Sequence, residues 1–499
     1  MNIYRRRVVW HGRPCPPVAP PVPSGVMLRE NRHTQEFVLG AFPDSTPKGA
    51  DMLITRRRIL EVTSAGALAT LVPTLSVAQA KPLPIVFVHG NGDTAGLWIT
   101  TLWRFESNGY PRDLLHAVDL KNPQAQAVDG TPMPGRSSSA DVMAQLSAEV
   151  ALVKKRTGAD KVVLVAQSRG GNTVRNFIKN GGGAAHTALA ILCGAVNHGV
   201  ILSDKILVGS EFNGASNFMR DLNSTPGEVV AGVRFVTIRS ADNDKFAQPD
   251  GRYLGQPGTP TGVGFDGPEL KGAENIVLPK LDHRETGYAP EAFAAIYKAV
   301  TGSAPAIGAI VPASAPVLDG KISSIDGGAP TNIGVGGAKL TIYRVAETDG
   351  RRQGAAVHER VTTDDGRWGP FTAASDAHYE FVVEVAGQPI SHIYRSPFPR
   401  SSDVVHLRPQ PLAKGDAEAT SVVYMQRPRG YFGAGRDTVE LGGKAATGIP
   451  EGVPSVSMCK LLLSAADNDA IVGRCNAEAI TARAWPMSEN RLAVIELTY

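Results

Sequence analysis

The sequence predicts a doubly wound α/β domain with a mainly parallel sheet, followed by one or two all-β modules of antiparallel, sandwich-like character. Three observations carry this. From Lys81 to Gly302, β-branched apolar runs alternate with stretches of helical spacing, and the runs are too hydrophobic for a sheet with one wet face. Residues 303–316, Ser-Ala-Pro-Ala-Ile-Gly-Ala-Ile-Val-Pro-Ala-Ser-Ala-Pro, read as a semi-rigid Ala/Pro linker. Beyond it the apolar period becomes two, broken by Asp-Gly and Gly-Gly turns, the mark of antiparallel strands. A chain of 499 residues holds two or three domains. With 42% hydrophobic and 20% charged residues it is neither disordered nor a polytopic membrane protein, and 53 Gly with 36 Pro exclude a coiled coil.

The first 80 residues stand apart. Residues 1–51 are rich in Pro and Arg without periodicity and read as an untranslated or disordered extension, with Met52 as the expected initiator. Residues 52–80 read as a twin-arginine export signal: Arg56-Arg57-Arg58, the apolar run Val62 to Val77 interrupted by Pro73, and the small-x-small site Ala78-Gln79-Ala80. About 16 apolar residues are too few to span a bilayer, which takes roughly 20. The expectation is passage through the Tat translocase to the periplasm or exterior, with no transmembrane helix in the mature protein. The formal net charge of +4 belongs to this leader, since residues 81–499 carry 41 Lys/Arg against 42 Asp/Glu. A near-neutral body gives no electrostatic reason to expect a nucleic-acid partner.

In the 81–302 domain, strands are expected at Pro84–Val88, Lys161–Val165, Ala188–Leu192, Val233–Ile238 and Ile276–Leu281, and helices at Ser138–Thr157, Gly171–Asn180 and Pro290–Val300. After the linker, Lys339–Val345, Tyr379–Val385 and Asp403–Leu407 alternate as half-buried strands. A composition break near Lys414–Ala417 divides this region into a module at 317–414 and a second at 415–499. Of three cysteines after the leader, Cys193 sits in an apolar run and reads as a free core thiol, leaving Cys459 and Cys475 as candidates for a disulfide.

Val165-Ala-Gln-Ser-Arg-Gly-Gly171 lies where an apolar strand gives way to a helix. A nucleophilic serine on such a turn needs small residues two positions to either side, because the tight backbone brings them together. Ala166 and Gly170 supply them for Ser168. Upstream, the first strand ends in Phe87-Val-His-Gly-Asn-Gly92, a glycine-rich turn that can bring a backbone N–H to a tetrahedral oxyanion. The N–H groups of Asn91 and Arg169 are the expected donors. Catalytic groups around this turn follow the chain order serine, acid, histidine. The acid is expected just past the strand that ends in Ser240-Ala-Asp-Asn-Asp244: Asp242 is first beyond it, with Asp244 the rival. His283, in Leu281-Asp-His-Arg284, fits the base by order and position. His186 has no functional context, His198 precedes any suitable acid, and His89 precedes the serine and reads as structural. Together Ser168, Asp242 and His283 describe acyl transfer through a covalent intermediate. No cofactor is expected, no metal-ligand spacing is seen, and Asp467-Asn-Asp469 reads as a solvated turn.

Val88-His-Gly-Asn-Gly92, Ala166-Gln-Ser-Arg-Gly170, Asn197-His-Gly199, Phe218-Met-Arg-Asp-Leu-Asn-Ser224 with Thr225-Pro226, Ser240-Ala-Asp242 and Asp282-His283 resemble the secreted bacterial lipases and esterases of the α/β-hydrolase superfamily over roughly residues 82–302. The resemblance implies a triad at Ser168, Asp242 and His283, oxyanion donors at Asn91 and Arg169, and an acyl ester substrate, met in solution or at a lipid or polymer surface. Gln167 stands where such lipases often have His, Arg169 where Met or Leu is usual, and Gln248–Glu274 has no counterpart. The β region is similar to the C-terminal β-rich domains of a few lipases. Polyester depolymerisation and a non-catalytic envelope binding protein are the alternative readings.

Overall fold

The computed structural model describes residues 81–464 and 469–499. The extension at 1–51, the export signal at 52–80, and Asp467 and Asn468 lie outside the described residues. Six strands form one parallel sheet: β1 (Ile85–Val88), β2 (Leu115–Val118), β3 (Val162–Gln167), β4 (Thr187–Cys193), β5 (Arg234–Ser240) and β6 (Glu274–Leu278), in the order β2-β1-β3-β4-β5-β6. Its helices are α1 (Ile99–Ser107), α2 (Ser139–Thr157), α3 (Arg169–Asn180), α4 (Asn217–Leu222), α5 (Glu285–Tyr288) and α6 (Pro290–Thr301).

Both faces of the sheet are covered, as the continuous apolar strands require. Ile85 and Phe87 of β1 pack into one core with Leu102 and Phe105 of α1 and with Phe293 and Ile296 of α6. Val86 and Val88 face the other core, with Val142, Leu146 and Val150 of α2 and Val174, Phe177 and Ile178 of α3. Helix ends follow local chemistry. Ser138 and Asp141 form a capping box at the start of α2, and Gly158 closes that helix at a left-handed φ of 69° that a side chain would strain.

Among the elements that the periodicity did not reveal are α1 and β2. Helix α1 is only nine residues long, and Ile99 to Phe105 are all buried, the polar Thr100, Thr101 and Arg104 among them. Leu102 and Phe105 belong to the core of the parallel sheet, whereas Ile99 and Trp103 belong to the core of the β region. Strand β2 is only four residues long and sits at an edge of the sheet, too short to show a period.

Beyond residue 316 the architecture is β-rich and mixed. A seven-stranded sheet is built from β7 (Lys339–Val345), β8 (His358–Val361), β9 (His378–Glu384), β10 (Ile390–Arg395), β11 (Ser421–Gln426), β12 (Met458–Leu463) and β13 (Arg491–Glu496), in the order β8-β7-β9-β10-β13-β11-β12. Two four-stranded sheets are built around Val317–Asp326 and Ala470–Cys475. Most pairs are antiparallel, but β13 runs parallel to both of its neighbours. The expected boundary at 414 is therefore not a boundary between sheets: the last strand of the chain joins the strands on either side of it. Residues 303–316 are irregular yet anchored, with Ile307 N–H donating to Asn108 Oδ1 at 2.9 Å and Val311 N–H to Ser107 Oγ at 2.9 Å. Cys193, Cys459 and Cys475 are free and buried. The disulfide considered above is thus not formed, although Cys459 and Cys475, on strands of different sheets, share one hydrophobic cluster. Among the described residues, no helix is long and apolar enough to cross a membrane.

Candidate active site

Strand β3 delivers Ser168 at the mouth of α3 with φ 54° and ψ −124°, a left-handed conformation that costs a non-glycine residue about 1–3 kcal/mol. The surroundings fix it there. Ser168 N–H donates to the Cys193 carbonyl at 2.9 Å and Gly171 N–H to the Ser168 carbonyl at 2.8 Å. A Cβ on Gly170 would lie 2.6 Å from the Val88 carbonyl and 2.7 Å from that of His89, so the small residue expected at this position is required by the backbone of β1. The positive end of α3 faces the serine.

The turn after β1 comes close against Ser168. A Cβ on Gly90 would lie 3.0 Å from Ser168 Cβ and 2.4 Å from Gln167 Oε1. Asn91 accepts through Oδ1 from Ala125 N–H at 2.8 Å, and Gly92 N–H donates to the Pro123 carbonyl at 3.2 Å. These bonds shape the turn while the Asn91 N–H has no partner among the described residues. Arg169 opens α3, so its N–H has no intrahelical acceptor. Its side chain is buried in an ion pair with Glu211, and it donates to the Ser137 carbonyl at 2.8 Å and, at 2.9 Å, to the Pro123 carbonyl that also accepts from Gly92 N–H. Burial pushes the Glu211 carboxyl up and the guanidinium opposes that. The charge beside the serine is thus a compensated brace between two loops.

The acid differs from the expectation. His283 Nδ1 donates to Asp244, at 2.8 Å from Oδ1 and 2.9 Å from Oδ2, and both side chains are buried. Asp242 is exposed and accepts from Lys280 N–H at 3.1 Å. The cause lies in the strand end. Strand β5 runs on to Ser240, whose Oγ accepts from Asn243 N–H at 3.2 Å. This turn sends the first acid outward and brings back the second, two residues later.

His283 is held on every side but one. Its carbonyl accepts from Gln167 Nε2 at 2.9 Å and from Thr286 Oγ1 at 2.7 Å, and Phe246 meets its ring edge-on at 4.7 Å. Nε2 is buried and hydrogen-bonded to no described residue, Ser168 included. His89 is structural, as expected: Leu120 N–H donates to its Nε2 at 3.1 Å, leaving Nδ1 to donate to the Gly90 carbonyl at 2.9 Å, and burial keeps it below its ordinary range. His198 stands apart against Glu228, and His186 bonds Lys154 at the surface.

Residues beyond 302 complete the frame, and the sequence did not reveal them. Asp282 and Glu285 flank His283 and point into the β region. Arg427 Nη1 lies 3.1 Å from Asp282 Oδ2 and its Nη2 lies 2.6 Å from Glu285 Oε1, while Arg436 Nη1 reaches Glu285 Oε2 at 2.7 Å. Tyr431 N–H donates to Asp282 Oδ2 at 2.7 Å. Burial and the nearby Glu285 push Asp282 up to about 6, against the pull of Arg427 and Arg436. Arg284 pairs with Asp93 of the turn after β1 at 2.5 Å, and Asn332 Nδ2 donates to the Asp93 carbonyl at 3.0 Å. The acids beside His283 are visible in the sequence, but nothing local announces arginines about 145 residues away. Among the described residues, no group of three or more His, Cys, Asp and Glu is arranged to hold a metal ion.

Residues 82–252 match the family model described as Lipase (class 2), and residues 316–412 match that of the Lipase C-terminal domain. Among solved structures, the chain is similar to Aspergillus fumigatus lipase B at 16% identity and a TM-score of 0.33, over 46% of this chain and 54% of that one, about half that lipase's length. It is similar to Bacillus licheniformis lipase BlEst2 in mature form at 19% identity and a TM-score of 0.30, over 40% of this chain and 85% of that one. To the propeptide form of BlEst2 the values are 15% and 0.33, over 81% and 93%. Family models for a lipase and for a lipase C-terminal domain thus match in succession along the two regions that the fold distinguishes, and the chain belongs with the lipases and esterases of the α/β-hydrolase superfamily, with a β-rich C-terminal region.

Proposed function

We propose that the protein is an exported serine esterase that cleaves acyl esters through an acyl-enzyme on Ser168. The observation that carries the mechanism is the buried Asp244–His283 pair, whose Nε2 has no partner among the described residues, together with Ser168 held at a positive φ directly after Gln167, which donates to the His283 carbonyl. Ser168 Oγ attacks the ester carbonyl and His283 Nε2 takes its proton. Asp244 fixes the imidazole tautomer with hydrogen on Nδ1 and stabilises the imidazolium. The N–H groups of Asn91 and Arg169 receive the oxyanion. Collapse expels the alcohol, which takes the proton back from His283, and water then releases the acid by the same steps in reverse. The arginine run and small-x-small site before Lys81 support export.

The test is hydrolysis of p-nitrophenyl esters of graded chain length by the protein from Lys81 onward. Ser168→Ala is expected to lose about 10⁶ in kcat while keeping its fold. A folded parent that is inactive on every chain length overturns the reading.

A further inference from the structure

A cavity of about 280 Å³ lies between the oxyanion turn and the β region. Gly92 and Asp93, which follow Asn91, form part of its wall, and so does Arg284, which follows His283. Its ionised side chains are unbalanced: Arg284, Arg395, Arg408 and Arg429 face only Asp93 and Glu496. Both acids are already engaged, Asp93 by Arg284 at 2.5 Å and Glu496 by Arg395 Nη1 at 2.7 Å. Arg408 donates to Ser323 Oγ at 3.2 Å, the Thr331 carbonyl at 2.9 Å and Asn332 Oδ1 at 3.1 Å. Arg429 donates to the carbonyls of Thr498 at 2.8 Å, Gly96 at 3.5 Å and Leu497. Neither pairs with a carboxylate. The Arg395 side chain is 2% exposed, and its Nε and Nη2 have no acceptor among the described residues. A buried cation that pairs directly with no carboxylate is costly: burial lowers Arg429 to about 10, with Arg395 adding to the effect against the pull of Glu496 and Glu478, and burial lowers Arg408 against that of Asp119, Asp93 and Glu496.

We infer that this cavity binds a carboxylate, held by the guanidinium groups of Arg395, Arg408 and Arg429. Paired N–H groups of a guanidinium match the two oxygens of a carboxylate, and ester hydrolysis, the reading on which this inference rests, makes a carboxylate next to this wall. The carboxylate is either the far end of a dicarboxylic half-ester substrate or the acid that hydrolysis releases.

Binding is read directly on Ser168→Ala protein, by thermal shift and calorimetric titration with adipate and with hexanoate. Turnover by the parent is compared on mono-p-nitrophenyl adipate and p-nitrophenyl hexanoate. Adipate is expected to raise Tm, and loss of one charge-assisted contact in Arg408→Gln is expected to weaken it about tenfold or more. Met458→Glu sets a negative charge at the 41%-exposed mouth without touching an arginine and is expected to do the same. Arg360→Gln, on the exposed strand β8, is the charge control. A half-ester preference of about tenfold in kcat/KM, lost in both cavity variants, assigns the site to the substrate's far end. Competitive inhibition by hexanoate without that preference assigns it to the released acid. If neither acid binds, or if both bind Arg408→Gln and Met458→Glu as they bind the parent, the inference is overturned. Hydrolysis of the neutral ester without acid binding removes the site alone, and acid binding without any hydrolysis removes the acyl-enzyme reading alone.

Discussion

The two regions of the molecule handle chain order in opposite ways. In the parallel sheet, β3, β4, β5 and β6 are laid side by side in the order they are made, and α3, which joins β3 to β4, packs on both. In the seven-stranded sheet, the last strand of the chain is inserted between β10 and β11. The first region is assembled from neighbours in sequence, the second from distant pieces. The contrast also concerns dependence. The parallel sheet supplies Ser168, Asp244 and His283, yet the loops that hold them are braced by Asn332, Arg427 and Arg436. On the proposed mechanism, the domain that carries the reactive groups is therefore not the whole of the scaffold that positions them.

The largest effect expected from breaking this arrangement is a truncation. Ending the chain at residue 414 removes β11, β12 and β13, strips the pairing edge of β10 and removes Arg427 and Arg436. We expect no soluble folded protein, measured by circular dichroism and sedimentation. A folded, active fragment would show that the two regions are separable after all. Within the active site, Asp244→Asn should lower kcat about 10⁴-fold, whereas Asp242→Asn should stay within a few-fold of the parent because its carboxylate faces solvent.

Next in size is Arg427→Met, which leaves Asp282 and Glu285 buried beside His283 with only Arg436 to answer them. We expect kcat to fall about 10–100-fold by misplacement of the base, with KM little changed and partial rescue by Arg427→Lys. A rise in KM alone would remove Arg427 from this role. The smallest effect is a pH dependence at the junction of the regions. Burial pulls His406 down to about 3, and it lies beside Ser323 and Asp119. A histidine kept neutral in the fold takes up a proton only on unfolding, so its stabilising effect is complete above about 6.5 and declines as pH falls toward 3. His406→Gln should flatten the loss of Tm between pH 7 and pH 4.5. An unchanged slope would place the acid sensitivity elsewhere.

This contrast explains what the sequence disclosed. Strands β1, β3, β4 and β5 were legible because burial on two faces demands continuous apolar runs, and Ser168 because the turn tolerates only small flanking residues. Asp244 was hidden behind Asp242 by a turn closed through the Ser240 hydroxyl, a contact no spacing rule encodes. Helix α1 is short, and it divides its apolar residues between two cores, Ile99 and Trp103 in one and Leu102 and Phe105 in the other. The break at 414 was a real change of composition, but composition does not record that Arg491–Glu496 pairs with Ile390–Arg395.

That pairing also sets a timetable for biosynthesis. The partner of β10 emerges about 100 residues after it, and at ribosomal rates of roughly 5–20 residues per second the edge carrying Ile393 and Tyr394 stays open for several seconds or more. During that interval the nascent chain presents an unsatisfied apolar strand to every other chain nearby, so holdase chaperones able to shield it should govern yield more than the stability of the finished enzyme does.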